Sequence, residues 1–223
     1  MALRGLPIIF GAFLAIFLVV LCDPIPSSED DQLFLQCRTK AHRIMQGFET
    51  CVANVYEMDT QNETRRPSSE EGCSRCKLIC RNIDAILQCL RNAEASLISV
   101  SNKSQTMVPF LVSMLDESFH AVCENNADIM QVIYNEENKE CVQTHWEACS
   151  THLDTGESWH SIFFCDHSDP SKNSLTPKIY CQKIHTSLEC IISQSEQCSQ
   201  QIKRVVPLLL PKLRNSTTCS RYY

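Results

Sequence analysis

Glycine is scarce in this chain: five of its 223 residues are glycine, and three of them, Gly47, Gly72 and Gly156, lie beyond residue 22. Tight β-hairpins depend on turns that contain glycine, so this scarcity disfavours a strand-rich fold. The sequence also has no phosphate-binding glycine loop, no Gly-x-Ser-x-Gly motif and no His-Glu-x-x-His motif. The familiar sequence signs of nucleotide-binding, serine-hydrolase and zinc-protease sites are therefore missing.

Clusters of positive charge are missing as well. The formal net charge is −6, and the nearest approach to a basic run is Lys203-Arg204. Nucleic acids and anionic membranes attract proteins through clustered Lys and Arg, so neither is an expected partner. Beyond residue 22 no apolar stretch approaches the ~20 residues that a membrane-spanning helix needs. We expect no stable membrane insertion.

The first 22 residues have the layout of a secretory signal peptide. Arg4 precedes an apolar run over residues 6–21, and Val20 and Cys22 occupy the small-residue positions before acidic Asp23. An uncleaved anchor is the alternative, which the shortness of the run disfavours. The prediction is a signal peptide at 1–22 followed by a single secreted domain at 23–223, since no linker-like segment divides the rest.

Cysteine is the residue that the chain has in abundance. Cleavage after Cys22 reduces fifteen cysteines to fourteen, and an even number in a secreted chain indicates complete pairing into disulfides. The chain is thus expected to be extracellular, in an oxidising compartment. The sequence does not determine which cysteines pair with each other. The fourteen predicted disulfide residues are Cys37, Cys51, Cys73, Cys76, Cys80, Cys89, Cys123, Cys141, Cys149, Cys165, Cys181, Cys190, Cys198 and Cys219.

Apolar residues recur at helical spacing along most of the chain, which predicts an all-α fold. The expected architecture is a disulfide-cross-linked bundle of about six to seven helices. The third predicted helix should begin near a Thr106 cap with Pro109 in its first turn. Pro207 and Pro211 should kink or divide the last predicted helix. The predicted helices cover about 32–56, 73–90, 108–122, 129–133, 141–153, 181–191 and 202–213.

Helical geometry limits how these cysteines can pair. Cys37 and Cys51 are fourteen residues apart, so they point the same way and each should reach a partner helix. Cys89 faces away from Cys80, which predicts that a continuous helix there is bridged on two sides. Cys190 likewise faces away from Cys181.

Two segments are predicted to be irregular, and one of the three sequons lies in the first of them. Residues 59–70 are polar, and residues 154–178 form a long segment that Cys165 and nearby aromatic residues should tie down. The sequons begin at Asn62, Asn102 and Asn215, and each is expected to be glycosylated on an exposed turn or loop.

Several residue groups invite a chemical function. Cys73-x-x-Cys76 has redox spacing, and Cys80 with a histidine would complete a zinc set, but secretion favours disulfides. Four histidines are spaced by seven or eight residues: His145, His152, His160 and His167. This spacing is more typical of an exposed surface than of a metal site. We expect no metal, no cofactor and no catalytic residues, and we expect Trp146 to lie in the core.

The stretch 120–149 resembles the secreted insect haemolymph glycoproteins named for a mass near twenty-seven kilodaltons. Its matching motifs are Cys123-Glu124-Asn125-Asn126-Ala127-Asp128, an apolar run to Tyr134, Glu140-Cys141 and Cys149. The C-terminal pattern Cys190-Ile191-Ile192, Glu196, Cys198 and Cys219 is similar to the closing pattern of that family. The resemblance covers roughly 76–219, and a nematode family of cysteine-rich secreted domains has a similar style.

The resemblance implies a circulating, disulfide-bonded helical glycoprotein, and it carries over no catalytic residues. We therefore expect a non-enzymatic protein that acts by binding, with an apolar small molecule or another secreted protein as its partner. The alternatives are a secreted hydrolase or metal-dependent enzyme built on residues 154–178, and an extracellular storage or structural protein.

Overall fold

The computed structural model describes residues 32–63, 74–153, 163–214 and 216–222, and no strand occurs among them. The all-α prediction is confirmed. The described residues contain eight α-helices and one short 3₁₀ helix (Pro170–Asn173). The α-helices are α1 (Gln32–Glu63), α2 (Ser74–Arg81), α3 (Ile83–Leu97), α4 (Asn102–Ile133), α5 (Glu136–Ser150), α6 (Pro177–Ser195), α7 (Gln200–Arg214) and α8 (Thr217–Ser220).

The start of α4 differs from the prediction. Ser101, not Thr106, caps the helix: its hydroxyl accepts a hydrogen bond from the Ser104 N–H at 3.1 Å, and the Ser104 hydroxyl accepts one from the Ser101 N–H at 2.9 Å. This reciprocal capping box satisfies two backbone donors at the helix end. With the helix begun at Asn102, Pro109 lies inside it. The predicted third and fourth helices are one continuous helix of 32 residues.

The predicted helix 73–90 is instead two helices that meet at Asn82. The Asn82 side chain donates a hydrogen bond to the Leu78 carbonyl at 2.8 Å, in competition with the helical pattern of the backbone. Its backbone leaves the helical region at φ −103° and ψ 15°. A single asparagine therefore separates α2 from α3, a break that apolar periodicity does not reveal.

Helix α4 is the centre of the bundle. Helices α2 and α3, which precede α4 in the chain, pack against it. Helices α5, α6 and α7, which follow it, also pack against it. Helix α1 packs mainly on α3, and α6 lies between α5 and α7. The side chains of Met107, Val108 and Leu115 on α4 are almost fully buried. One continuous hydrophobic core therefore runs from α1 to α7.

Helix α7 continues through both of its prolines, so it is not divided as predicted. Pro207 and Pro211 are four residues apart and both are exposed. Carbonyl groups that lose their helical donors on an exposed face are free to bond water, which limits the cost of each proline. The helix begins beside Ser199, whose carbonyl accepts from the Lys203 N–H at 3.0 Å.

Six disulfides join the described elements, and Cys76 is disulfide-bonded as well. As predicted, Cys181 and Cys190 on α6 are bridged to different elements. Cys80 and Cys89 are also bridged to different helices, but they lie on α2 and α3 and not on the one continuous helix that was predicted. The prediction for Cys37 was wrong, because it reaches the irregular segment before α6 and not a partner helix. The pairs are Cys37–Cys165, Cys51–Cys89, Cys80–Cys123, Cys141–Cys198, Cys149–Cys190 and Cys181–Cys219.

The irregular segment 163–176 is firmly attached to the bundle. Besides the Cys37–Cys165 bridge, the Ser101 hydroxyl donates to the Phe164 carbonyl at 2.6 Å, and the Asp166 carboxylate accepts from the Lys103 N–H at 3.1 Å. Phe163, Phe164 and Cys165 are buried. The predicted tie through Cys165 and the aromatic residues is therefore present.

The remaining predictions concern the loop 59–70, the signal peptide and membrane insertion. Residues 59–63 belong to α1, so the predicted loop 59–70 is helical in its first part. The predicted signal peptide at 1–22, residues 64–73 and residues 154–162 lie outside the described residues. Among the described helices none is both long enough and apolar enough to cross a membrane.

An apolar cleft as the candidate functional site

A cleft opens between α4, α5, α6 and α7. Its walls are almost entirely apolar. The lining residues are Leu115, Ser118, Phe119, Val122, Ile133, Val142, His145, Trp146, Leu153, Tyr180, Ile184, Ser187, Leu188, Ile191, Ser195, Cys198, Ile202, Val206, Leu209 and Leu213.

The cleft is long and narrow. It follows α6 from Tyr180 to Ser195, and fifteen residues at about 1.5 Å each give a length of about 22 Å. Its cavity volume is only about 100 Å³. This is smaller than the ~300–1,000 Å³ typical of pockets that enclose a whole small molecule. The space suits a slender apolar group and not a bulky one.

Three serines line the cleft, but their hydroxyl groups are turned to the backbone. Ser118 donates to the Met114 carbonyl at 2.7 Å, Ser187 donates to the Cys149 carbonyl at 3.2 Å, and Ser195 donates to the Ile192 carbonyl at 2.7 Å. A hydroxyl proton committed to a carbonyl is not offered to a ligand. The serines therefore add little polarity to the cleft.

Tyr180 differs from these serines. Its side chain is only 2% exposed, and its ring packs edge-on against Phe163 at 5.1 Å and Phe110 at 6.0 Å. No hydrogen bond joins its hydroxyl to another residue in the described part of the chain. Burial raises the pKa of the Tyr180 phenol above its usual range. The group therefore remains a neutral phenol throughout the physiological pH range.

His145 and Trp146 line the cleft from α5. Both are half-buried. The prediction that Trp146 lies in the core is therefore wrong. His145 lies near the bridge between Cys141 and Cys198, and one ligating atom of each residue falls within 4.8 Å of the others. Because the two sulfurs are bonded to each other, neither is a thiolate that would bind a metal ion.

The predicted histidine group is not assembled in the described part of the chain. His152 is exposed, whereas His167 stacks on Phe34 with ring centroids 4.1 Å apart. The backbone of His167 also exchanges two hydrogen bonds with the Asn173 side chain, at 2.9 and 2.8 Å. His160 lies outside the described residues. In segment 163–176, His167 and Asp166 therefore have structural partners.

The comparison with protein families gives one match, over residues 27–219. It spans nearly the whole of the chain outside the predicted signal peptide. The chain belongs to the family described as "Protein of unknown function (DUF1397)". No curated protein and no solved structure matches the chain.

The sequons lie in three different settings. Asn102 is exposed and is the first residue of α4, while the Ser104 hydroxyl of the same sequon is fully buried in the capping box. Asn62 lies in the last turn of α1, so its backbone is helical and not in a loop as predicted. Asn215 lies outside the described residues.

The position of the cleft was not predicted from the sequence. Apolar periodicity predicts which face of a helix is buried, but it does not show where four such faces fail to close on one another. The available signal was the pairing of His145 and Trp146 beside an otherwise apolar helix face. Without the position of α7 that signal does not distinguish a cleft edge from a packed core.

Proposed function

We propose that this protein is a secreted, disulfide-bonded glycoprotein that acts by binding and not by catalysis. Its ligand is an apolar small molecule that lies along the cleft between α4, α5, α6 and α7. The observation that carries the proposal is the cleft itself, a long apolar channel whose serine hydroxyls are turned away to backbone carbonyls. Helical bundles commonly hold ligands between facing helices.

The cross-links around the cleft support a binding role. The Cys149–Cys190 bridge joins α5 to α6, and the Cys141–Cys198 bridge joins α5 to the turn before α7. Walls fixed in this way lose little conformational freedom when a ligand enters. Preorganisation of this kind raises affinity because less ordering remains to be done on binding.

The size of the cleft limits the ligand to a slender one. A volume of about 100 Å³ spread along about 22 Å is too narrow for a fused ring system and suits a slender chain. A linear alkyl or acyl chain is the ligand shape that this cleft matches.

The cross-linking also supports an extracellular setting. Disulfides persist in oxidising compartments, and six of them lie among the described residues. The predicted signal peptide and the predicted glycosylation at Asn62, Asn102 and Asn215 agree with that setting. The resemblance to the insect haemolymph glycoproteins adds a circulating fluid as the proposed location.

A pair of neighbouring residues on α6 gives a matched test of the cleft. Ile191 lines the cleft, whereas Ile192 is 36% exposed on the outer side of the same helix. We expect Ile191→Trp to fill the cleft and to weaken binding of a fluorescent apolar dye at least tenfold. Ile192→Trp should leave dye binding, and its displacement by decane, unchanged.

Several results would overturn the proposal. If Ile191→Trp and Ile192→Trp affect binding equally, the ligand does not lie in the cleft. If Ile191→Trp does not fold, Ile184→Phe provides the same test from a half-buried wall position. If the native protein from its natural fluid yields no apolar molecule on extraction and mass spectrometry, and no dye binds, then a protein partner or a storage role replaces the carrier.

A further inference from the structure

The Tyr180 hydroxyl is the unused polar group of the cleft. The ring around it is held by Phe110 and Phe163, so the position of the hydroxyl is set by packing. Tyr180 is only 2% exposed and lines the cleft, and its hydroxyl has no hydrogen-bond partner among the described residues.

Burying a phenol hydroxyl without a partner costs free energy, because its hydrogen bonds to water are not replaced. A ligand atom that accepts from this hydroxyl would replace them. The serines of the cleft already have carbonyl partners, so among the described lining residues Tyr180 carries the hydroxyl that is left to donate to a ligand.

The charge of that polar group is restricted by the walls. No lysine or arginine is found among the described residues that line the cleft, and the one imidazole among them, His145, lies beside Cys198, beyond the end of α6 opposite Tyr180. A carboxylate beside Tyr180 would lose its hydration without gaining a cation, which is costly in apolar surroundings. An uncharged oxygen, as in an alcohol, a ketone or an ester, avoids that cost.

We propose that Tyr180 determines the specificity of the cleft for an uncharged, oxygen-bearing linear chain. The oxygen of the ligand accepts a hydrogen bond from the Tyr180 hydroxyl at one end of the α6 wall, and the alkyl chain extends along α6 toward Ser195. This inference rests on the proposed function, because it names the class of ligand for the same cleft. It adds a residue and a chemistry that a purely apolar carrier would not need.

The test uses the full secreted chain and three probes with chains of matched length: decanol, decane and decanoate. Each competes against a fluorescent apolar dye in wild type and in Tyr180→Phe. We expect the affinity ratio of decanol to decane to fall roughly three- to tenfold in Tyr180→Phe, the equivalent of one ordinary hydrogen bond. In wild type, decanoate should bind more weakly than decanol.

Tyr56→Phe is the matched control, since it removes another buried phenol hydroxyl without a partner, on α1 and away from the cleft. It should leave the decanol-to-decane ratio unchanged. Because the Tyr180 hydroxyl supports no other described residue, thermal melting should show that Tyr180→Phe folds as wild type does. The comparison of decanol with decanoate in wild type needs no variant.

An unchanged ratio in Tyr180→Phe would overturn the assignment of Tyr180, and decanoate binding as tightly as decanol would overturn the uncharged class. In either case decane binding that Ile191→Trp still blocks would leave the proposed function intact. If wild type binds neither the dye nor any of the three probes, the proposed function fails and the inference fails with it.

Discussion

Glu117 and Thr218 lie 101 positions apart in the chain, yet one Glu117 carboxylate oxygen accepts hydrogen bonds from both the N–H and the hydroxyl of Thr218, at 3.1 and 2.8 Å. The hydroxyl of Thr217 donates to the same oxygen. Glu117 is in the middle of α4, and Thr218 is in the first turn of α8. One carboxylate therefore fastens the last helix of the chain to the central one.

Removal of this carboxylate should loosen the C-terminal end of the bundle. Thr218 is buried, so Glu117→Ala leaves its N–H without an acceptor, and we expect the free energy of unfolding to fall by about 1–3 kcal/mol. Urea unfolding with the disulfides intact measures the change. Glu124→Ala is the control on the same helix, because Glu124 pairs with Lys212 at an exposed site where the loss should stay within about 0.5 kcal/mol. Equal losses would contradict the anchoring role of Glu117.

The Cys37–Cys165 bridge should hold segment 163–176 in place. The double variant Cys37→Ala with Cys165→Ala avoids a free thiol, and we expect it to lower the free energy of unfolding by about 2–4 kcal/mol. Amide hydrogen exchange should rise in residues 163–169. Cys149→Ala with Cys190→Ala provides the comparison, since it should raise exchange in α5 and α6 and leave 163–169 protected. Exchange that rises equally in both regions in both variants would show that the bridges stabilise only the whole bundle.

Glu49 should make stability depend on pH. Burial raises the pKa of its carboxyl, with His42 acting in the opposite direction, and one of its oxygens is buried without a hydrogen-bond partner. The folded protein therefore holds this proton more tightly than the unfolded chain does. Stability contributed by this group is greatest at acid pH and falls as pH rises from the ordinary glutamate pKa through the raised one.

The variant Glu49→Gln isolates this effect because its side chain cannot ionise. We expect a higher Tm than wild type at neutral pH and a difference that shrinks as the pH is lowered toward the ordinary glutamate range. Differential scanning calorimetry across this interval measures both. A difference that grows at acid pH would reverse the assigned direction of the pKa shift.

The sequon at Asn102 combines a modification site with a helix cap, and two variants separate the roles. Ser104→Ala removes the capping box, so in a host that does not glycosylate we expect it to cost about 0.5–2 kcal/mol. Asn102→Gln removes the sequon but touches only an exposed side chain, and it should stay within about 0.5 kcal/mol. Thermal unfolding of the two unglycosylated variants measures both costs. A loss in Asn102→Gln as large as that in Ser104→Ala would show that the cap is not the stabilising element.

Local features of the sequence predicted the helical class because each one acts within a few residues. Glycine scarcity and apolar spacing indicated helices, and the opposed directions of Cys181 and Cys190 on α6 followed from the helical repeat. The errors came from equally local chemistry that periodicity does not register. Ser101 replaced Thr106 as the cap of α4, and the Asn82 side chain interrupted the second helix by bonding a carbonyl.

The amino-acid order by itself determined the fold class and the abundance of cysteines available for bridging, since composition and helical spacing are properties of neighbouring residues. Only the tertiary structure decided the pairing and the site. Cys37 bridges to Cys165 across 128 positions, and Tyr180 reaches a cleft whose walls come from four helices. Such contacts depend on how helix faces pack at a distance, and a small mismatch between buried faces leaves a cleft that no local pattern records.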